Sequence, residues 1–129
     1  MNNPLSEWHD LLQTGATEKL DTILADDVTF HSPVVHTPQE GKKITSLYLG
    51  AAAHVLANDS FTYVREVIGE NDAILEFTTE LEGIAVNGVD MIHWNQDGLI
   101  DDFKVMIRPL KAVNKVHAMM GQMLQAMSK

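Results

Sequence analysis

Residues 81–109 constrain the fold most strongly, because their pattern is typical of two long β-strands joined by a tight turn. Gly98 closes the predicted turn, where glycine can take a positive φ at no steric cost. In the returning strand the side chains alternate between two faces, so Phe103, Val105 and Ile107 lie on one of them. The stretch therefore predicts the centre of a sheet with a strongly apolar face.

Asp90 is the strongest candidate for chemistry, because it interrupts the apolar strand of residues 89–94. A buried carboxyl must be paired or hydrogen-bonded, and burial raises its pKa so that it can donate a proton. One interpretation is an acid that faces a pocket. The other is a structural carboxyl that accepts hydrogen bonds from Trp8 or Tyr48, or that faces solvent at an edge. In the pocket interpretation, alternation turns His93 to the opposite face, towards a dimer interface.

The composition is that of an ordinary globular protein, with 45% hydrophobic and 21% charged residues in 129. We expect one domain, residues 1–129. With no cysteine, disulfides and thiolate chemistry are excluded. The net charge of -9 disfavours nucleic-acid and membrane partners. The N-terminus lacks a basic and apolar leader and no stretch is long enough to span a membrane, so we predict a cytoplasmic protein.

Helical and strand periodicities divide the rest of the chain. We predict helices at residues 5–13, with Ser6 as its cap, 18–24 and 41–57, strands at 28–31, 61–68 and 73–81, and a loop at 34–40. The third helix is predicted to face inward through Ile44, Leu47, Tyr48, Ala51 and Val55. A terminal helix begins at Pro109, with an apolar stripe of Leu110, Val113, Val116, His117, Met120, Leu124 and Met127.

The order of these pieces resembles the nuclear transport factor 2-like superfamily and, within it, the SnoaL-like group. The matching pieces are residues 25–30 followed by Ser32 and Pro33, Gly41 opening a helix, and residues 89–100 and 103–110. The resemblance implies an α+β, cystatin-like cone, with three N-terminal helices and a C-terminal helix around a curved antiparallel sheet. It also implies an apolar pocket inside the cone and a homodimer paired through the outer sheet face.

The resemblance decides between two possible turns in residues 81–88. Dipeptide statistics favour Asn87-Gly88, but the long family strand before the Asp90 position favours Glu82-Gly83. We therefore predict a turn at Glu82-Gly83, with Gly88 as a bulge inside the strand.

Relatives with known chemistry suggest roles by position. Ketosteroid isomerase uses an aspartate base before a proline, with a tyrosine and a protonated aspartic acid as oxyanion donors. Asp90 matches the protonated acid, Ser32 stands at the base position and Trp8 at the tyrosine position. The arginine-aspartate pair of limonene epoxide hydrolase would fall at Lys104-Val105. Polyketide cyclases of the SnoaL-like kind need only one acid-base group in an apolar pocket.

We expect a small, largely apolar organic ligand in the cone, with chemistry of the cyclase or isomerase kind. The predicted catalytic residues are Asp90 as acid or oxyanion donor and His31 as base. The predicted pocket is lined by Trp8, Phe30, Ser32, His36, Tyr48, Leu75, Phe77, Ile92, Trp94, Phe103, Val105 and Ile107. For His36 the interpretation as an exposed loop residue is favoured over a place at the pocket mouth, because prolines and polar residues surround it. No motif indicates a metal or cofactor. The alternative function is a non-catalytic ligand-binding or dimeric interaction module.

Overall fold

The computed structural model of the chain describes residues 3–127. The first two residues of the N-terminal stretch, for which no leader is predicted, lie outside this range. In chain order the elements are α1 (Leu5–Thr14), a 3-10 turn (Thr17–Lys19), α2 (Leu20–Ile23), β1 (Leu24–His31), β2 (Gln39–Glu40), α3 (Lys42–Leu56), β3 (Thr62–Ile68), β4 (Asp72–Leu81), β5 (Ile84–Trp94), β6 (Ile100–Arg108) and α4 (Leu110–Met127). The predicted α+β architecture, with helices before and after a curved sheet, is confirmed.

The six strands form one sheet in the order β2-β1-β6-β5-β4-β3. The pair β1 and β6 is parallel and the other four pairs are antiparallel, so the sheet is not antiparallel throughout as expected. A parallel pair needs a long connection between its strands. Here α3 and four further strands lie between β1 and β6, and they provide it.

The inner face of the sheet carries the core. Side chains from β1, β4, β5 and β6 alternate inward and pack under α1, α3 and α4, and each large one contributes roughly 1.5–3 kcal/mol by leaving water. The largest fully buried members are Trp94, Phe30, Phe77, Phe103, Leu11, Leu20, Leu24, Leu49, Leu75, Ile92, Ile100 and Val28.

The N-terminal helices differ from the prediction at their ends. Ser6 lies inside α1 and is not its cap, since the cap position is Pro4 and the Asn3 side chain accepts the Leu5 N–H at 3.1 Å. The predicted second helix is shorter than expected, because Leu24 already begins β1. The predicted loop at 34–40 ends in the short strand β2.

The helices α3 and α4 bury different faces from the predicted ones. In α3, Ala51 and Val55 are buried as predicted, but Ile44, Leu47 and Tyr48 are only half-buried. The remaining buried residues of α3 are Thr45, Leu49, Gly50 and Leu56. The buried face is broad because α3 packs against both the sheet and α4.

In α4 the buried residues are Ala112, Val116 and Met120. Leu110 is 74% exposed and His117 is also exposed, so neither belongs to the predicted stripe. Among the helices within residues 3–127, none combines the length and apolar character needed to cross a bilayer.

The turn between β4 and β5 lies at Glu82-Gly83 as predicted, with positive φ of 49° and 86° at the two residues. Gly88 is not a bulge, because it pairs in regular register with Phe77 and Ile107. A Cβ at Gly88 would lie 2.3 Å from a ring carbon of Phe77 and 2.9 Å from the Met106 carbonyl oxygen. The glycine is therefore needed for close approach and not for a backbone irregularity.

Gly88→Ala should lower the free energy of unfolding by about 2 kcal/mol, since neither the buried Phe77 ring nor the backbone of β6 can move freely. Gly121→Ala is the matched control. Gly121 is exposed in α4 with nothing within 4 Å of an added Cβ, so this change should raise stability by about 0.5–1 kcal/mol. Urea denaturation of both variants tests the pair, and equal stabilities would contradict the tight fit at Gly88.

Candidate functional site

Three elements bring a chain of polar groups together beneath the sheet. Trp8 on α1 donates its Nε1–H to the Tyr63 hydroxyl on β3 at 2.9 Å. The Tyr63 hydroxyl in turn donates to Asp90 Oδ2 on β5 at 2.5 Å. Such a short O–H···O contact is typical of a bond to a carboxylate. The sheet register aligns the two strands, because β4 lies between them with Phe77 opposite Tyr63 and Leu75 opposite Asp90.

Asp90 is held in an apolar setting, with only 6% of its surface exposed. Burial raises the pKa of Asp90 to about 7, against a smaller lowering by the Tyr63 hydrogen bond. Near neutral pH the carboxyl therefore populates both forms, and the protonated form can donate a hydrogen bond to a second group. Burial, followed by the nearby Asp90 charge, also raises the pKa of Tyr63 well above its usual range, so the phenol stays protonated.

A small cavity of about 30 Å³ adjoins this chain of hydrogen bonds. Trp8, Tyr63 and Asp90 border it, but the surface exposed to the cavity is apolar. The rest of the lining is apolar: Leu12, Leu49, Ala52, Ala53, Leu56, Ala57, Phe61, Phe77, Phe103 and Val105. A volume of this size holds about one water molecule, so in this structure the predicted pocket is largely filled by protein side chains.

The structure brings together five of the predicted site residues. Asp90, Trp8, Phe77, Phe103 and Val105 all line the cavity. Other members of the predicted pocket pack into the core without lining it: Phe30, Leu75, Ile92 and Trp94, with Tyr48 half-buried against the Phe30 ring. Ile107 is half-buried and also packs against this core, on the face of β6 that carries Phe103 and Val105.

The loop after β1 stays away from the cavity. Ser32 Oγ accepts the Val34 N–H at 3.1 Å, a local turn contact, and His36 is exposed. Neither residue lies among those that line the cavity. The base position inferred from the ketosteroid isomerase resemblance therefore lies outside this site.

His31 lies on the outer face of the sheet, not beside Asp90. Its neighbour Phe30 is buried on the inner face, so alternation along β1 turns His31 outward. There its Nε2 lies 2.9 Å from Asp102 Oδ1. We expected His31 as base and Asp90 as acid to act on the same bound molecule. The structure contradicts this expectation, because the two side chains lie on opposite faces of the sheet.

His93 faces outward, as alternation from Asp90 predicts. Its Nδ1 lies 2.5 Å from Asp101 Oδ1, and this hydrogen bond, with the charges of Asp101, Asp72 and Asp102, raises the pKa of His93. Within residues 3–127, no group of three or more histidine and acidic side chains has the geometry to hold a metal.

Tyr63 is the site residue that the sequence analysis missed. The predicted strand at 61–68 contained it, and its placement two residues after Phe61 indicates a shared inward face. The sequence instead predicts Trp8 or Tyr48 as the hydrogen-bond partner of Asp90. Trp8 reaches Asp90 only through Tyr63, and Tyr48 packs against Phe30.

The sequence profile of the SnoaL-like domain matches residues 5–103, well over half of the chain. The chain belongs to the SnoaL-like domain family. No curated protein matches this SnoaL-like chain.

Three solved structures place the SnoaL-like fold among enzymes and uncharacterised proteins. A steroid delta-isomerase from Pseudomonas aeruginosa is 32% identical, with a TM-score of 0.90 over 95% of this chain and 89% of that one. A protein from Silicibacter pomeroyi with a cystatin-like fold is 29% identical, with a TM-score of 0.86 over 95% and 85%. The epoxide hydrolase/cyclase-like enzyme SalBIII, which acts in pyran ring formation in polyether salinomycin, is 16% identical, with a TM-score of 0.65 over 81% and 87%, and shows the fold alone.

Replacing Asp90 by asparagine should change how stability depends on pH. The pKa of Asp90 rises from 3.8 to about 7 on folding, so between these values the folded state keeps a proton that the unfolded chain releases. Stability is therefore lost as pH rises through this range, by about 4 kcal/mol for a shift of about three units. Asp90→Asn removes this loss while it keeps an acceptor for Tyr63.

Chemical denaturation of both proteins at about pH 4 and about pH 8 measures the effect. The stability of the wild type relative to Asp90→Asn should fall by about 4 kcal/mol between the two pH values. Other titrating groups are common to both proteins and cancel in the difference. A difference that does not change with pH would show that Asp90 titrates normally.

Proposed function

We propose that this SnoaL-like protein binds a small, largely apolar ketone or similar acceptor and polarises its oxygen through protonated Asp90, as a step in acid-base chemistry of the isomerase or cyclase kind. The observation that carries the proposal is a carboxyl with a pKa of about 7, buried in an apolar cavity and anchored by Tyr63. Such a group can donate a hydrogen bond to an oxygen on which negative charge develops.

The relatives support this class of chemistry. The 32% identical structure is a steroid delta-isomerase. Asp90 in this chain occupies the position that the resemblance gives to the protonated acid of ketosteroid isomerase. Trp8 stands at the tyrosine position, and here it donates to Tyr63, which contacts the acid. The alternative is a protein that binds such a molecule without turnover.

The size of the cavity restricts how a ligand binds. A space of about 30 Å³ takes one polar tip such as a carbonyl group, whereas typical ligand sites measure ~300–1,000 Å³. The body of the ligand must therefore lie outside the cavity, towards the solvent side of Leu12 and Phe61. A compact ketone suits this geometry better than a molecule with several fused rings.

Binding of acetophenone, a compact ketone that can only accept a hydrogen bond, should weaken as pH rises. Only the protonated form of Asp90 can donate, so the affinity should fall about tenfold between about pH 6 and about pH 8. Titration followed by protein NMR measures it. Asp90→Asn donates at every pH and should remove the pH dependence.

His117→Gln, at an exposed position of α4, is the control and should behave as the wild type. An affinity that is constant or increases with pH in the wild type would contradict the role of Asp90 as donor.

We also propose that the protein is a homodimer paired through the outer face of β3 to β6. Three apolar side chains lie there exposed, Val67 at 59%, Ile74 at 36% and Met106 at 52%. With Val89 they line a shallow groove of about 350 Å³ whose rim carries both basic and acidic groups, Arg65, Arg108 and Glu76. Contiguous exposed apolar patches favour association, and a mixed rim is compatible with a second copy of the same surface. The cytoplasm stays the predicted compartment.

Met106→Glu should convert the dimer to a monomer, because it places a charge at the centre of the apolar patch. Leu110→Glu, an apolar-to-acidic change at a residue that is 74% exposed and outside this patch, should leave the dimer intact. Sedimentation equilibrium at several concentrations measures both. A wild type that stays monomeric at the highest concentration would refute the dimer.

A further inference from the structure

A groove of about 450 Å³ lies directly outside the cavity. The two spaces share four lining residues, Leu12, Ala57, Phe61 and Tyr63, so one wall separates them. The groove has the volume of a typical ligand site, which the cavity lacks. A molecule that places its oxygen at Asp90, on the inner side of this wall, therefore has the rest of its atoms in the groove.

The inner surface of the groove carries a carboxylate, that of Glu66. On β3, Glu66 pairs with Leu75, and Tyr63 pairs with Phe77, and both partners are buried on the inner face. Its side chain is 36% exposed and borders the groove. Its charge is also close enough to Tyr63 to contribute to the raised pKa of the phenol. A proton acceptor and the Tyr63–Asp90 pair thus face the same region.

The imidazole of His9, on α1, lies beside this carboxylate. Its Nδ1 lies 2.7 Å from the Leu5 carbonyl oxygen, which only accepts, so Nδ1 carries a proton. The ring packs edge-on against Tyr63, with centroids 5.4 Å apart. These contacts direct Nε2 to within 3.3 Å of Glu66 Oε1. Nε2 is shielded from water and makes no hydrogen bond with the described residues, and Glu66 is the acidic residue that lies within ion-pair distance of it. The second carboxylate oxygen, Oε2, is not part of this contact.

We propose that Glu66 is the base that moves a proton on a compact β,γ-unsaturated ketone, with its oxygen at Asp90 and its carbon skeleton in the groove, and that His9 is the residue that positions Glu66. The proposal rests on the proposed function of Asp90, and it supplies the base that neither Ser32 nor His31 provides.

The step balances without a cofactor. Glu66 takes a proton from the carbon between the carbonyl and the double bond, and the C–H electron pair forms a dienolate. The dienolate oxygen accepts a hydrogen bond from protonated Asp90. Protonated Glu66 then returns the proton to the far carbon of the original double bond, which yields the conjugated ketone and restores the carboxylate.

The proposal is tested with cyclohex-3-en-1-one as the substrate. Its isomerisation to the conjugated ketone is measured by the rise in ultraviolet absorbance. Glu66→Gln should lower kcat by at least about 100-fold, the usual contribution of a general base, while acetophenone binding at about pH 6 stays within about twofold. Glu66→Asp should recover part of the activity. Glu80→Gln, an exposed carboxylate on the opposite face of the sheet, should leave kcat unchanged.

The variant His9→Ala should lower kcat about tenfold with KM nearly unchanged, and His9→Gln should restore part of it, because a positioning group acts on the chemical step more than on binding. A loss of turnover in Asp59→Asn, the other acid of the groove, with Glu66→Gln unaffected would overturn the assignment. Wild-type protein that binds acetophenone with the expected pH dependence yet never isomerises the enone would overturn Glu66 as the base and leave the role of Asp90 intact. Absence of pH-dependent ketone binding would instead refute the role of Asp90.

Discussion

The hydrogen bond from Tyr63 to Asp90 is the contact on which the rest of the site depends. A carboxyl with 6% exposure in an apolar core is destabilising unless its oxygens are satisfied. Tyr63 satisfies one oxygen, and Trp8 satisfies Tyr63. The three residues come from α1, β3 and β5, so the cost is offset only when the helix docks on the sheet in one register. The site and the correct packing of the first helix are therefore linked.

The curved sheet separates two kinds of acid-base chemistry. On its inner face, burial favours the neutral form of Asp90. On its outer face, the partly exposed histidines His31 and His93 lie against Asp102 and Asp101, and the acidic neighbours of His93 favour its charged form. Neighbouring residues in one strand thus acquire opposite preferences, because alternation sends them into different dielectric surroundings.

Strand alternation and helical periodicity predicted much of the fold and part of the site. They placed Asp90 inside and His93 outside, whereas the family resemblance placed the β4-β5 turn at Glu82-Gly83. The same rule, applied to β1, places His31 on the face opposite Phe30, so the choice of His31 as base conflicted with the choice of Phe30 as pocket residue. The residue pattern does not predict the volume of the pocket, because this volume depends on how closely α1 and α3 pack on the sheet.

Strict alternation does not predict that Tyr63 and Glu66 lie on the same face of the sheet. Residues three apart on a regular strand face opposite sides. Here the register shifts between Tyr63 and Arg65, so that Val64 is an extra residue on β3 with no partner on β4. Such a bulge turns the following side chains over. It brings Glu66 onto the inner face beside Tyr63 and leaves Val64 54% exposed. A one-residue irregularity, which the amino-acid pattern does not indicate, thus places a carboxylate at the entrance to the buried acid.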